Sequence, residues 1–334
     1  MSDNAASNAN LKSILLDLHG DRRNVASFGI VITHLLWISS VLAVVAFPTW
    51  WTVASAFIVV GLMQYRLVMS CHEAVHKTLL FPQWLNEVVG LLHCSMVGLN
   101  FIRYRRQHDE HHRAHHINHD PDAYIYEPIM RAESGWRRVC VWLFGTFSEV
   151  IEKFRQKGVA KEENPVIART AKWHSIAVIA TQLTLLTMFA ATIGWWAYFV
   201  LWLAPVLTIA VLLNRTRITI EHGLTHLESG IEAYQIEDAD QETIDILTNP
   251  IERFFFAPFD FNYHYAHHRI QSVPHYNNQK LSESLDSIEP GPSHRVRASY
   301  ISLLIRTLWS KPCLAQTSLK LPSATTPPNF KKAA

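Results

Sequence analysis

The sequence predicts an all-α integral membrane protein, with four transmembrane helices in two hairpins and a cytosolic histidine-rich helical cap. Three observations predict it. Four long apolar runs come as two pairs, Phe28–Phe47 with Trp51–Ser70 and Ser175–Ile193 with Trp195–Leu213, each pair joined by a minimal turn. None of the 30 Lys and Arg residues lies in either turn, Phe47–Trp51 or Ile193–Trp196. Histidine is over-represented at 19 residues, and its densest clusters follow the hydrophobic pairs.

Composition narrows the class. Of 334 residues, 49% are hydrophobic, and mean hydropathy is +0.05. That is too apolar for an average soluble domain and too polar for a chain wholly inside lipid, so a few spans carry a water-facing part. A net charge of only +2 gives no nucleic-acid footprint. The four cysteines, Cys71, Cys94, Cys140 and Cys313, form no disulfide framework and fit a reducing side. The polar N-terminal stretch with Asp17 and Asp21 is unlike a cleaved signal peptide.

Residues 1–27 read as a tail and a short helix along the membrane surface, residues 28–314 as the membrane domain and residues 315–334 as a disordered tail. Phe28–Phe47 is long enough to cross a hydrocarbon core of about 30 Å. Pro48-Thr49 breaks it, and Trp51–Ser70 returns, with Gln64 and Arg66 only near its far end. Leu85–Ile102 is apolar but carries Asn86, Glu87, His93 and Asn100, so it reads as buried or half-inserted. Trp136–Phe154 has Trp136, Val139, Leu143 and Phe147 near helical spacing and reads as a helix on the membrane surface. Pro205 predicts a kink in the fourth crossing. All Lys and Arg except Arg66 fall in the tail, the middle segment or the C-terminal part, which the positive-inside rule makes cytoplasmic. Trp50-Trp51 and Trp195-Trp196 suit the opposite headgroup layer.

The histidines carry the chemistry. His264, His267 and His268 follow the spacing His-x-x-His-His; on a helix these positions share an arc of about 100° and aim at one point. Tyr263 and Tyr265 flank the first of them, and Val273-Pro274 is expected to end the element. His108, His111 and His112 repeat the pattern, while His72 and His76 lie one helical turn apart. The second cluster has another register, His112 with His115 and His116, extended by His119. The first register is preferred because it follows the basic run Arg103–Arg106 and leaves Asp120 and Asp122 downstream to orient imidazole N–H groups. His222 follows Glu221 after the fourth crossing and emerges on the same side; His226 is a weaker candidate. His34 reads as a hydrogen-bonded core residue, and His93 has no spacing to recommend it.

His72-Glu73-Ala74-Val75-His76 also matches the zinc-protease signature, with Glu73 as general base. A protease needs one further ligand, which leaves the other clusters unexplained. The nine histidines His72, His76, His108, His111, His112, His222, His264, His267 and His268 exceed what one metal can hold, so two metals are implied. Imidazole suits Zn, Cu, Fe and Ni alike; oxygen chemistry beside a membrane makes iron the leading candidate.

The three boxes, with Asn262-Tyr263 before the last, Val273-Pro274 after it, and Glu221-His222 after the fourth crossing, resemble the membrane fatty acid desaturase family from about Phe28 to Leu281. The resemblance implies a non-haem di-iron centre on the cytosolic face, O2 as co-substrate, two electrons per turnover and a lipid or acyl-carrier substrate. Glu73, Asp120, Asp122, Glu221 and Asn262 are the candidates to support the ligands. Desaturation is the expected reaction, with hydroxylation or oxidative decarboxylation on the same scaffold as the alternative. The chain shows neither a cytochrome b5 signature nor a ferredoxin cysteine pattern, so a separate donor of ferredoxin, rubredoxin or cytochrome b5 type is expected. Lys331-Lys332 resembles an endoplasmic-reticulum retrieval signal, but a bacterial inner membrane is the preferred location.

Overall fold

The structure is a computed structural model that describes residues 14–20, 23–113, 120–156, 164–228, 243–288 and 294–309. The expected disordered tail, His115, His116 and His119, and the side chain of His226 lie outside the described residues. Four helices are long and apolar enough to cross a membrane: α2 (Ala26–Ala46), α3 (Trp50–Val75), α8 (Pro165–Thr192) and the span Trp195–His222, here α9. A short helix α1 (residues 14–20) precedes them.

Each hairpin has a local cause. Thr49 caps α3 reciprocally: its hydroxyl accepts from Thr52 N–H, and its own N–H donates to Thr52 Oγ1. Gly194 sits at φ 139°, a conformation that suits glycine, between α8 and α9. Asn164 and Pro165 start α8 ten residues before its apolar run, because the Asn164 carboxamide accepts from Val166 and Ile167 N–H. In α9, Pro205 lies between two wide π-helical turns, Phe199–Leu203 and Val206–Ala210, which is how the backbone accommodates the residue expected to kink it. Its last stretch continues as Val211–Glu228.

The segment expected to be buried or half-inserted is a broken pair, α4 (Gln83–Met96) and α5 (Phe101–His112), bent by 98°, which has the form of a broken span or a re-entrant loop. A bend at membrane depth exposes backbone carbonyls that lipid cannot satisfy. Here Gln182 Nε2 donates to the Ser95 and Met96 carbonyls at 2.7 and 2.9 Å, and Trp202 Nε1 donates to Met96 O at 3.1 Å. Asn100 then caps α5 through Arg103 N–H. His34 and His93 meet in this layer. Trp37 Nε1–H donates to His34 Nδ1 (3.0 Å), which puts the His34 proton on Nε2, facing His93 Nε2 at 3.1 Å. His93 Nδ1–H then donates to Ser70 Oγ at 2.6 Å, and Ser70 donates to Leu67 O. Every polar atom in that chain is used, which glues α2, α3 and α4 together inside lipid.

The cap comprises α6 (Ala123–Arg131), α7 (Trp136–Gln156), α10 (Pro250–Phe256), α11 (His264–Arg269), α12 (Asn278–Ile288) and α13 (Tyr300–Trp309). A two-residue parallel pair, Asp245–Ile246 (β1) with Arg295–Val296 (β2), ties its ends. In α7 the usual pattern is inverted: Trp136, Phe144, Phe147 and Ile151 are exposed, while Arg138, Thr146 and Glu149 are buried. An outward apolar face suits a helix on a lipid surface, and Trp309 of α13 extends it, with its ring 5.7 Å from Trp136.

The short N-terminal helix packs on the cap: Leu18 joins Tyr263, Tyr265, Val273 and Leu281, and Asn277 donates to Leu18 O. One expectation is corrected. Helix α11 ends at Arg269, before Val273-Pro274, because Ile270 leaves helical geometry (φ −146°) and packs with Val273 against that same cluster. Arg215 and Arg217, part of the charge pattern of the C-terminal part, are buried and paired with Glu149 and Glu221.

The hairpin turns and the cap lie at opposite ends of the spans. Cysteines placed at Pro48 and Trp195 are expected to react with an impermeant maleimide from one side of sealed vesicles, and one at Arg137 from the other. Reaction of all three from the same side would contradict four crossings.

Candidate metal centre

The first two boxes and His222 ride on elements joined to the lipid crossings, and the third box rides on a helix of the cap. His72 lies in the last turn of α3 and His76 is its C-cap residue. His108, His111 and His112 occupy α5, His222 the end of the α9 span, and His264, His267 and His268 helix α11. The structure brings all nine together in two groups. His72, His76, His108, His112 and His267 form one; His111, His222, His264 and His268 form the other. Within each, one ligand atom per residue lies within 4.8 Å of all the rest. The groups adjoin, with the His112 and His268 rings 4.3 Å apart.

The nitrogens face one another. His76 Nε2 is 2.8 Å from His108 Nε2, His108 Nε2 is 2.9 Å from His112 Nε2, and His222 Nε2 is 2.9 Å from His264 Nε2. Donors about 2.1 Å from one ion and at right angles to each other stand about 3 Å apart, so this spacing fits a shared metal. His72 Nε2, His267 Nε2 and His268 Nε2 are buried without a hydrogen-bond partner, although buried polar nitrogens are normally satisfied. Burial first, and then neighbouring imidazoles and Arg217, hold His264, His267 and His268 well below the usual histidine range. They are therefore neutral near pH 7, the form that binds metal.

Carboxylates fix the outer ring nitrogens. Glu73 Oε1 accepts from His72 Nδ1 at 3.1 Å, and Asp120 Oδ1 accepts from His111 Nδ1 at 2.7 Å, so each imidazole presents Nε2 inward. Burial alone would raise the Asp120 carboxyl, but the His111 contact and the Asp122 and Tyr126 donors outweigh it and hold it below the usual carboxylate range. Asp122 supports Asp120 through its backbone N–H, and its carboxylate accepts from Gln107. Glu221 Oε2 lies 3.7 Å from His264 Nδ1, and Glu221 accepts from Arg217 and from Tyr300 OH. The Asn262 carboxamide donates to Ile246 O and so steadies β1.

Several partners left no local signal in the sequence. Phe261 lies between the groups, its ring 4.3 Å from His72 and 4.8 Å from His264, with the Arg217 guanidinium 4.1 Å above it. Tyr126 stacks on His222 and donates to Asp120 Oδ2. Asp245 accepts from Ala266 N–H and so holds the first turn of α11; burial pushes its carboxyl up to about 7.

This is a helical membrane protein with two adjoining histidine groups that could each hold a metal ion at one end of its spans. The fatty acid desaturase family model matches residues 48–298, well over half of the chain, and the protein belongs to that family. No curated protein matches the chain.

Replacing His111 with Ala is expected to lower bound metal from about two ions per chain to about one, whereas His116→Ala should leave the metal count intact. Metal analysis of the purified variants decides between the two registers of the second box, and the reverse result would move the ligands to His115 and His116.

Proposed function

We propose that this protein is a di-iron oxidoreductase that uses O2 and two electrons to introduce a double bond into a fatty acyl chain. The observation that carries the proposal is the pair of adjoining, carboxylate-supported histidine groups in a chain of the desaturase family. His72, His76, His108, His112 and His267 would hold one iron, and His111, His222, His264 and His268 the other. Bound iron supplies O2 activation and the removal of hydrogen from an unactivated carbon, chemistry beyond any side chain.

The chain's own residues do the rest. Glu73 and Asp120 keep His72 and His111 in the tautomer that turns Nε2 to the metal. Phe261 and the buried cap exclude water from the space between the groups. The Arg217–Glu221–Tyr300 contacts fix the end of α9 against α13, which keeps His222 opposite His264. One turnover takes two hydrogens from the acyl chain together with two electrons and two protons, and returns two waters. The electrons come from a separate ferredoxin, rubredoxin or cytochrome b5-type donor. Basic residues on the cap side support a site that faces the cytosol, and the membrane would be a bacterial inner membrane.

Host cells expressing the chain and fed a deuterium-labelled saturated fatty acid test the reaction. The expected product has lost two hydrogens at unchanged chain length and is absent with His268→Ala. Gain of one oxygen from labelled O2 would assign hydroxylation instead, and a product one carbon shorter would assign decarboxylation.

A further inference from the structure

A cavity of about 570 Å³ opens on the cap side, and His76 forms part of its wall. Its other walls come from His19 and Asn24 near the start of the chain, from Lys77 and Gln83 after the first box, and from Ser272 after the last box. These segments are tied to each other. Asn24 exchanges hydrogen bonds with the backbone of Phe81 at 2.7 and 2.8 Å, and His19 Nε2 meets Ser272 Oγ at 2.5 Å. The cavity is thus a built feature, its volume is that of a small-molecule site, and among the described residues no acidic side chain lines it.

Among the described residues Lys77 is the cation in its wall, and its backbone is unusual. Helix α3 closes with Lys77 N–H on Ala74 O and Thr78 N–H on Glu73 O, the paired bonds of a Schellman ending. The residue at this position adopts left-handed geometry, here φ 66°. Glycine does so without cost, and a side chain with a Cβ does not. A lysine therefore stands where the fold would favour glycine, one residue after a histidine of the metal centre. Its side chain is exposed, and among the described residues its ammonium forms no ion pair.

Resting on the reading as a fatty acyl oxidoreductase, we infer that this cavity receives the anionic head of the substrate and that Lys77 recognises its charge. A carboxylate or a phosphate would satisfy the ammonium, with the Gln83 amide and the Ser272 hydroxyl beside it. The acyl chain would then leave the cavity past His76 toward the metals. A donor protein is a weaker fit, because such partners dock on broad surfaces and not in a cavity of ligand size.

The test measures binding to the purified iron-loaded protein in nanodiscs by displacement of radiolabelled palmitate, with palmitate, palmitoyl-coenzyme A and methyl palmitate as competitors. Lys77→Gly is expected to keep or raise the melting temperature, since glycine relieves the backbone, and to retain the bound iron. It should weaken palmitate, palmitoyl-coenzyme A or both by about tenfold or more, leave the uncharged methyl ester unchanged, and be rescued by Lys77→Arg. A loss confined to palmitate names the carboxylate as the ligand, and one confined to palmitoyl-coenzyme A names the phosphate. Equal affinities in wild type and Lys77→Gly, or an equal loss for the methyl ester, would overturn the subsite. So would slower reduction by the electron donor at unchanged affinity, which would assign Lys77 to donor docking. Lys77-dependent binding by a wild type that oxidises no acyl chain would instead overturn the proposed function and leave the subsite standing.

Discussion

The structure depends on one electrostatic constraint: nine imidazoles converge in a small, mostly buried volume. Unpaired nitrogens in such a place are costly, and protonating several of them would set cations against each other. A metal removes both difficulties, because each nitrogen gains a ligand bond and none need carry a proton. The outer ring atoms of His72 and His111 show the same logic, since each meets a carboxylate that sets the tautomer.

The rest of the fold meets that constraint by treating membrane helices as rigid posts. α3, α5 and the α9 span each end at a histidine of the centre, so lipid fixes the height at which the nitrogens meet. The cost falls on α4 and α5, whose 98° bend strands carbonyls in an apolar layer. Gln182 and Trp202 from the second hairpin satisfy them. The two hairpins are thereby coupled to the turn that aims the second histidine box. Box three lacks a crossing of its own and hangs instead from β1, through Asp245 to Ala266 and Asn262 to Ile246.

What was legible in the sequence was local. Hydrophobic runs, the charge-free turns and the His-x-x-His-His spacing each lie within one continuous stretch of chain, and all three located their elements. That Leu85–Ile102 is unlike the other apolar runs was visible because Asn86, His93 and Asn100 have no place on a lipid-facing helix; the structure uses each in a bond to a neighbouring helix, Asn86 to Ala74 O, His93 to Ser70 and Asn100 to Ala171 O. The supports were not legible, because they are long-range pairs. Nothing near Tyr300 points to Glu221, 79 residues away, and nothing near Asp245 announces that it grips α11, 21 residues on. The burial of Arg215 and Arg217 was not legible either, since it depends on pairing with Glu149 and Glu221. The end of α11 was placed at proline, the strongest local breaker, although packing of Ile270 ends the helix first.

The central claim is that the two histidine groups hold two irons. Anomalous diffraction from crystals of the protein as isolated, recorded at the iron and zinc absorption edges, tests it directly. The account predicts two iron peaks, one amid His72, His76, His108, His112 and His267 and one amid His111, His222, His264 and His268. A single zinc peak beside His72 and His76, with no scatterer in the second group, would contradict it.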